Sequence, residues 1–278
     1  MSALHLEQRL VHYEALGRGQ PIIFLHSWLG SWRYWIPTME LAAERYRTYA
    51  LDFWGFGESD RAANDGTISG YVRMLYAFMD AMGISTANLV GHGLGGAVAI
   101  QAAYGQPSRF LKVMTVATPL YGHVLTSHLQ PSRFARLLGM RSPTNVWPRL
   151  IRTIPIANPD VQQELYANAA TLSEQLLATL QTSLLATDLR PALLGLRLPL
   201  LAVYGSADRI VAARHATLLN QLQETPVQLL VLPKANHFPF LEQTNLFTRL
   251  LLDFLQAPGL PVTIKAEWRR RVSQAEYL

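Results

Sequence analysis

Short apolar runs of strand length alternate with helical stretches along most of this chain, and that alternation limits the fold more than any other feature. Residues 21–26 read Pro-Ile-Ile-Phe-Leu-His. A continuous apolar run of this kind is what a strand covered on both faces requires. Further strand-like runs lie at 10–15, 48–53, 87–90, 111–117, 198–204 and 227–232. Helical spacing is found at 32–46, 68–82, 94–104, 212–222 and 242–255. Such alternation predicts a mostly parallel sheet with helices on both faces. Half of the 278 residues are hydrophobic, enough for a large core, so an intrinsically disordered chain is excluded.

One region interrupts the pattern. Between residues 120 and 195 no strand is evident, and helical segments are expected at 133–138, 146–154 and 161–185. We therefore expect a core of residues 1–119 and 196–257, a helical insertion over 120–195, and a basic tail over 258–278. Charge is spread unevenly along the chain. Residues 81–159 contain no Asp or Glu but carry Arg109, Lys112, Arg133, Arg136, Arg141, Arg149 and Arg152. The net charge of +5 thus belongs to one segment. With no cysteine in the chain, disulfides, thiol catalysis and cysteine-held metals are excluded. The first residues lack a basic start followed by an apolar stretch, so no signal peptide is expected. No apolar run reaches the roughly 18–20 residues of a membrane span. A cytoplasmic location is expected, with peripheral membrane association through the basic insertion and tail as an option.

The richest motif is Asn88-Leu89-Val90-Gly91-His92-Gly93-Leu94-Gly95-Gly96, a strand running into a glycine-flanked turn and then a helix. Gly91, Gly93 and Gly96 fit a dinucleotide-binding G-x-G-x-x-G. That reading is weak, because the turn lies well inside the strand order. The acidic residue expected about 20 positions on is also missing; the next is Asp160. The competing reading is a G-x-S-x-G nucleophile elbow with glycine in the serine position. Four more motifs accompany it: Phe24-Leu25-His26-Ser27-Trp28-Leu29-Gly30, Asp52-Phe53-Trp54-Gly55-Phe56-Gly57-Glu58-Ser59, the loop 204–211 around Asp208, and the loop 233–242 around His237.

In this order and spacing, from residue 10 to 255, the five motifs resemble the α/β-hydrolase superfamily, in its capped, esterase- and epoxide-hydrolase-like form. The resemblance implies an eight-stranded, mostly parallel sheet and makes the insertion a cap. It implies a pocket floored by Gly93, walled by Asp208 and His237, and lined by Ser27, Trp28 and Leu94. Asp208 would accept the Nδ1–H of His237 and hold its tautomer, and His237 would aim Nε2 at position 93. The N–H groups of Trp28 and Leu94 would face a developing oxyanion. His26, His92 and Asp52 are expected to be structural.

The sequence departs from the family at two positions. Gly93 has no hydroxyl, so the acyl-enzyme route through the elbow is closed and negligible serine-esterase activity is expected. Glycine accepts the strained elbow conformation at little cost. Ser27 stands where the family usually has glycine. Its hydroxyl could face the cavity and bind a ligand, but it is not assigned as nucleophile, because His237 should aim at position 93. Two functions follow. One is a non-hydrolytic homologue that binds a ligand or a protein. The other is an enzyme using His237–Asp208 as general base without covalent catalysis, of hydrolase, lyase or cofactor-free oxygenase type. Gly93 also fits an engineered knockout. The expected partner is a small molecule or an anionic protein, without nucleic acid, cofactor or metal; no H-E-x-x-H or P-loop spacing occurs.

Overall fold

The computed structural model describes residues 2–28, 30–61, 66–125, 156, 159–222 and 225–262. Eight strands form one sheet in the order β1-β2-β4-β3-β5-β6-β7-β8. They are β1 (Ser2–Leu6), β2 (Arg9–Leu16), β3 (Pro21–Leu25), β4 (Arg47–Leu51), β5 (Ala87–His92), β6 (Phe110–Val116), β7 (Leu200–Gly205) and β8 (Val227–Leu232). From β4 through β8 neighbours run parallel, while β1–β2 and β2–β4 are antiparallel. Strands β5 and β7 are buried at every position, as strands covered on both faces are. The expected eight-stranded, mostly parallel sheet is the one observed.

Several local expectations change. Strand β1 was not evident in the sequence; it alternates exposed and covered positions over only five residues and forms a hairpin through Glu7 and Gln8, both at positive φ. The expected helix at 32–46 is a 3₁₀ turn (Trp32–Trp35) followed by α1 (Ile36–Ala42), with Pro37 in the first turn of α1. The long helix expected at 161–185 is two helices, α4 (Pro159–Ala170) and α5 (Glu174–Ala186). The break has a local cause. The Thr171 hydroxyl donates to the Asn168 carbonyl, and Ser173 caps α5 by accepting the Leu176 N–H, an N-cap preferred for just such a side-chain oxygen. The helix expected at 212–222 is a 3₁₀ segment (Ala213–Gln221). The last helix is split at Gln243 into α7 (Pro239–Glu242) and α8 (Thr244–Gln256). A further short helix, α6 (Arg190–Gly195), precedes β7. The helices expected at 133–138 and 146–154, and most of the 258–278 tail, lie outside the described residues.

Two helices lie between the strands around the future site: α2 (Ile68–Ala81) and α3 (Leu94–Gly105). Nearly all of α3 is buried. Its small residues permit this close packing. A Cβ on Gly95 would stand 2.2 Å from the Leu25 carbonyl oxygen, so only glycine lets α3 back onto β3 there. Helix α5 joins the sheet domain through Leu176, which packs over Gly55 and Gly66, and through Ser183, whose Oγ accepts the Ile68 N–H at 3.1 Å.

Two of the seven basic residues of the acid-free segment hold the core together. Lys112 Nζ donates to the carbonyls of Phe254 (2.8 Å) and Leu255 (2.9 Å), closing the C-terminal end of α8, where a cation also meets the negative end of the helix dipole. Arg109 pairs with Asp80 at 2.7 Å and donates to the Ile84 carbonyl. The other five lie outside the described residues. No helix among the described residues is long and apolar enough to cross a membrane.

Candidate active site

The site begins with strand register. Strands β3 and β5 are parallel neighbours, with Leu25 opposite Gly91. Both chains leave the sheet at this edge, so the residues two positions on, Ser27 and Gly93, arrive side by side. Gly93 has φ 50° and ψ −110°, a conformation that L side chains rarely adopt and glycine tolerates. Its N–H donates to the Val116 carbonyl of β6 at 2.9 Å, so the elbow is tied to the sheet through its backbone.

Ser27 fills the space above it. A Cβ built on Gly93 would lie 2.2 Å from Ser27 Oγ and 3.0 Å from Ser27 Cβ. The Leu94 N–H donates to the same Oγ at 3.3 Å. The two departures from the family are therefore one structural feature: a hydroxyl reaches the elbow from the neighbouring strand. The Ser27 backbone is held independently of that hydroxyl. Its N–H donates to Tyr34 Oη at 2.5 Å, and its carbonyl accepts the His26 Nδ1–H at 2.7 Å and the Gly30 N–H at 2.9 Å.

Asp208 and His237 follow β7 and β8 and meet at this edge. His237 Nδ1 and Asp208 Oδ2 are 2.9 Å apart. The other oxygen, Oδ1, accepts the N–H groups of Ile210 (2.8 Å) and Val211 (3.0 Å). Burial pushes the Asp208 carboxyl up, but His237 and these two N–H groups outweigh it, and the carboxyl lies below its ordinary range. An ionised Asp208 is thus ready to hold the Nδ1–H tautomer of His237, leaving Nε2 as the proton acceptor.

His92, directly before the elbow, links three loops. The Tyr34 hydroxyl donates to His92 Nδ1 (3.1 Å), and the His92 Nε2–H donates to the His237 carbonyl (3.1 Å). Burial first, and then the nearby His237, hold the His92 imidazole well below its ordinary value. A neutral ring with one donor and one acceptor is what the relay needs. The chain from the Ser27 N–H through Tyr34 and His92 to His237 explains why His92 packs against His237 with ring centroids 4.7 Å apart. His26 is likewise a neutral tie: Phe53 N–H donates to its Nε2 at 2.9 Å, and burial lowers its proton affinity.

Asp52 ties two loops together. Oδ1 accepts the Trp32 N–H and Oδ2 the Glu58 N–H. Beside it, the buried His12 stands 3.4 Å from Asp52, 3.5 Å from Glu14 and 3.6 Å from Glu58, at ion-pair rather than hydrogen-bond geometry. Burial disfavours the His12 cation, but contact with Asp52 and the charges of all three carboxylates prevail, and its pKa is raised. A raised folded-state value means that the stabilisation is complete below about pH 6.5 and fades as pH rises through the folded value. H12Q should therefore cost most stability near pH 5.5 and less near pH 9, as measured by urea unfolding at both. A loss independent of pH would refute the charged role of His12.

Three contributors were not assigned a role from sequence. Tyr34 bridges Ser27 and His92; nothing in Trp-Arg-Tyr-Trp distinguishes it from a packing residue. Glu242 accepts the N–H groups of Asn236 (2.6 Å) and Phe238 (3.0 Å), on either side of His237. Its place in the histidine loop was visible, its role was not. Glu164 of α4 accepts the Ser31 hydroxyl at 3.0 Å and lies 3.5 Å from Arg33 Nε, docking the insertion beside the Ser27 loop. Burial raises the Glu164 carboxyl above its ordinary range. A groove of about 660 Å³ lies elsewhere, lined by Ile68, Arg73, Gln101, Gln106, Ser183 and Asp188 among others, and none of the expected site residues faces it. Ser27, Trp28, Leu94, Asp208 and His237 are instead all buried. Among the described residues no group of three or more His, Asp or Glu is placed to hold a metal. The glycines of the alternative G-x-G-x-x-G motif are used for packing: a Cβ on Gly91 would strike Gly95, and one on Gly96 would strike Thr118.

Comparison with known proteins agrees with this fold. The chain is 28% identical over 255 residues to the dihydrolipoyllysine-residue acetyltransferase component of the acetoin cleaving system of Pseudomonas putida, covering 89% of this chain and 67% of that protein. It spans only about two thirds of the length of that relative and of its Cupriavidus necator counterpart. It is 29% identical over 257 residues to the pimeloyl-[acyl-carrier protein] methyl ester esterase of Shewanella woodyi, covering 88% of this chain and 97% of that enzyme. The crystal structure of the enol-lactonase from Burkholderia xenovorans LB400 superposes with a TM-score of 0.77 at 19% identity, over 92% of this chain and all of that one. The model of the alpha/beta hydrolase fold family matches residues 20–244, most of the chain and every motif of the site, and the protein belongs to that family.

Proposed function

We propose that this α/β-hydrolase works without a nucleophile on residue 93 and uses His237, oriented by Asp208, as a general base toward a bound carbonyl compound. One observation carries the reading. The Asp208–His237 pair is fully assembled at 2.9 Å, with the second carboxylate oxygen held by two N–H groups. Positioned general bases of this kind contribute on the order of 10²–10⁴-fold. The relatives named as a methyl ester esterase and an enol-lactonase support an ester or lactone as the substrate class. A second reading, a homologue that binds a ligand without turning it over, is favoured by Ser27 Oγ occupying the elbow and the Leu94 N–H. An anionic ligand or membrane surface for the basic insertion remains part of that second reading.

Turnover separates the two. Under the first, activated short-chain esters or lactones are hydrolysed above the buffer rate, and H237A lowers the rate at least tenfold. Equal rates for the wild type, H237A and buffer would overturn the general-base reading and leave the binding role.

A further inference from the structure

We infer that Ser27 is the covalent nucleophile of this site, a serine transposed from the elbow to the neighbouring loop, and that its substrates are carboxylic esters. The inference rests on His237–Asp208 acting as a base, as proposed above, and adds the group on which that base acts. It departs from the sequence-based expectation that His237 would serve position 93 and not Ser27. In the folded chain these are one place, because β3 and β5 run parallel with Leu25 opposite Gly91.

Three observations carry it. First, Ser27 Oγ lies 2.2 Å from the Cβ that a residue at 93 would have. A hydroxyl borne by that Cβ would sit within about the same reach, so Ser27 presents its oxygen in the volume where an elbow serine presents its own. Second, the oxygen lies over the Leu94 N–H at 3.3 Å, a donor expected to serve the oxyanion. The pair of expected donors is unchanged by the transposition. Leu94 follows residue 93 and Trp28 follows residue 27, so one donor still follows the nucleophile in the chain and the other still faces it from the adjacent loop. Third, the Ser27 backbone is anchored through Tyr34, His26 and Gly30, and the Tyr34–His92 relay ties that anchor to the His237 carbonyl. The backbones that carry nucleophile and base are thus tied into one connected network, which favours their preorganisation.

The chemistry balances with water as the only co-reactant. His237 Nε2 takes the Ser27 hydroxyl proton as Oγ bonds to the ester carbon, and the carbonyl π pair moves onto its oxygen. Collapse of this intermediate breaks the bond to the alkoxide, which leaves with the proton from His237. Water then gives a proton to His237 and attacks the acyl carbon. The Oγ–acyl bond breaks, Ser27 recovers its proton from His237, and the carboxylic acid departs.

A fluorophosphonate reporter tests this without knowledge of the natural ester. The folded full-length protein is labelled, and the modified residue is located by peptide mass spectrometry, with heat-denatured protein as control. A single adduct on Ser27 is expected. It should be absent in S27A and in S27G, the latter carrying the residue usual in the family, and at least tenfold slower in H237A. It should return in S27C with a thiol-directed phosphonate or iodoacetamide at a His237-dependent rate. An adduct on another residue, or labelling of Ser27 that is equally fast in H237A, overturns the proposal. Ester turnover that persists in S27A and S27G but is lost in H237A also overturns it, while leaving the general-base function standing. Neither label nor turnover in any of these proteins overturns both.

Discussion

G93S alone is expected to destabilise the protein, and S27G in the same chain is expected to restore much of the loss. The new Cβ would meet Ser27 Oγ at 2.2 Å and Ser27 Cβ at 3.0 Å. Ser27 can rotate its hydroxyl away, but it then gives up the bond from Leu94, worth about 1 kcal/mol. Overpacking of a filled site costs about 1–3 kcal/mol. The backbone at φ 50° adds strain of about 1–3 kcal/mol for a residue with a side chain. Together these predict a loss of about 3–7 kcal/mol for G93S. Replacing Ser27 by glycine removes the steric part and leaves the strain. Urea unfolding of the wild type, both single variants and the double variant closes a cycle, and a coupling of about 1–2 kcal/mol favouring the double variant is expected. Additivity within about 0.5 kcal/mol would show that the two positions do not compete for space. The double variant also has the family's usual pattern, glycine at 27 and serine at 93. Its fluorophosphonate adduct should move to Ser at position 93, following the hydroxyl from one loop to the other.

The second large effect concerns Glu242. Its carboxylate accepts the N–H groups of Asn236 and Phe238 and, at 3.3 Å, the Asn236 side-chain amide, so it holds the peptide groups on both sides of His237. E242A leaves these donors unpaired in a partly buried loop, at a cost of about 2–3 kcal/mol. The loss to function should be larger than the loss to stability suggests, since a free His237 loop no longer presents its ring to Asp208. A fall in labelling or turnover of about 10–100-fold is expected at temperatures where E242A stays folded, with E242Q intermediate because it keeps one acceptor. Near-normal rates in folded E242A would remove Glu242 as a positioning residue. Acidity supplies a further check. Burial, partly offset by the three donors, holds the Glu242 carboxyl above its ordinary range. A raised folded value means that the linked stability is full below the unfolded value and declines as pH rises through the folded one. E242Q should lack that slope.

Much of the architecture was legible because it rests on local pattern. Unbroken apolar runs marked β3 and β7, and a run interrupted by Asn88 before a glycine-rich turn marked β5; each is buried almost throughout, and β8 matched its expected bounds. Irregular helices were less legible. The broken helix at 171–173 depends on two hydroxyls choosing backbone partners, and the 3₁₀ turn at Trp32–Trp35 depends on a Ser31 cap; neither changes the apolar spacing. The short β1 hairpin carries too few residues for a clear period. Within the site, Asp208 and His237 stood out through their loops. Tyr34 and Glu242 did not, because Glu242 acts mainly on backbone groups that any sequence would supply and Tyr34 bridges a backbone N–H to a residue 58 positions away.

Two features therefore have different origins. The alternation of strands and helices, the vacant serine at Gly93 and the presence of an acid–histidine pair were determined by the sequence itself, through periodicity and residue identity. That Ser27 occupies the place left by Gly93 was decided only by the tertiary structure. Ser27 and its partner Leu94 are 67 positions apart, and no local spacing relates them. The relation is set by the parallel register that puts Leu25 opposite Gly91. A register shift of one residue would have turned the hydroxyl to the other face, leaving two unrelated substitutions instead of one transposed group.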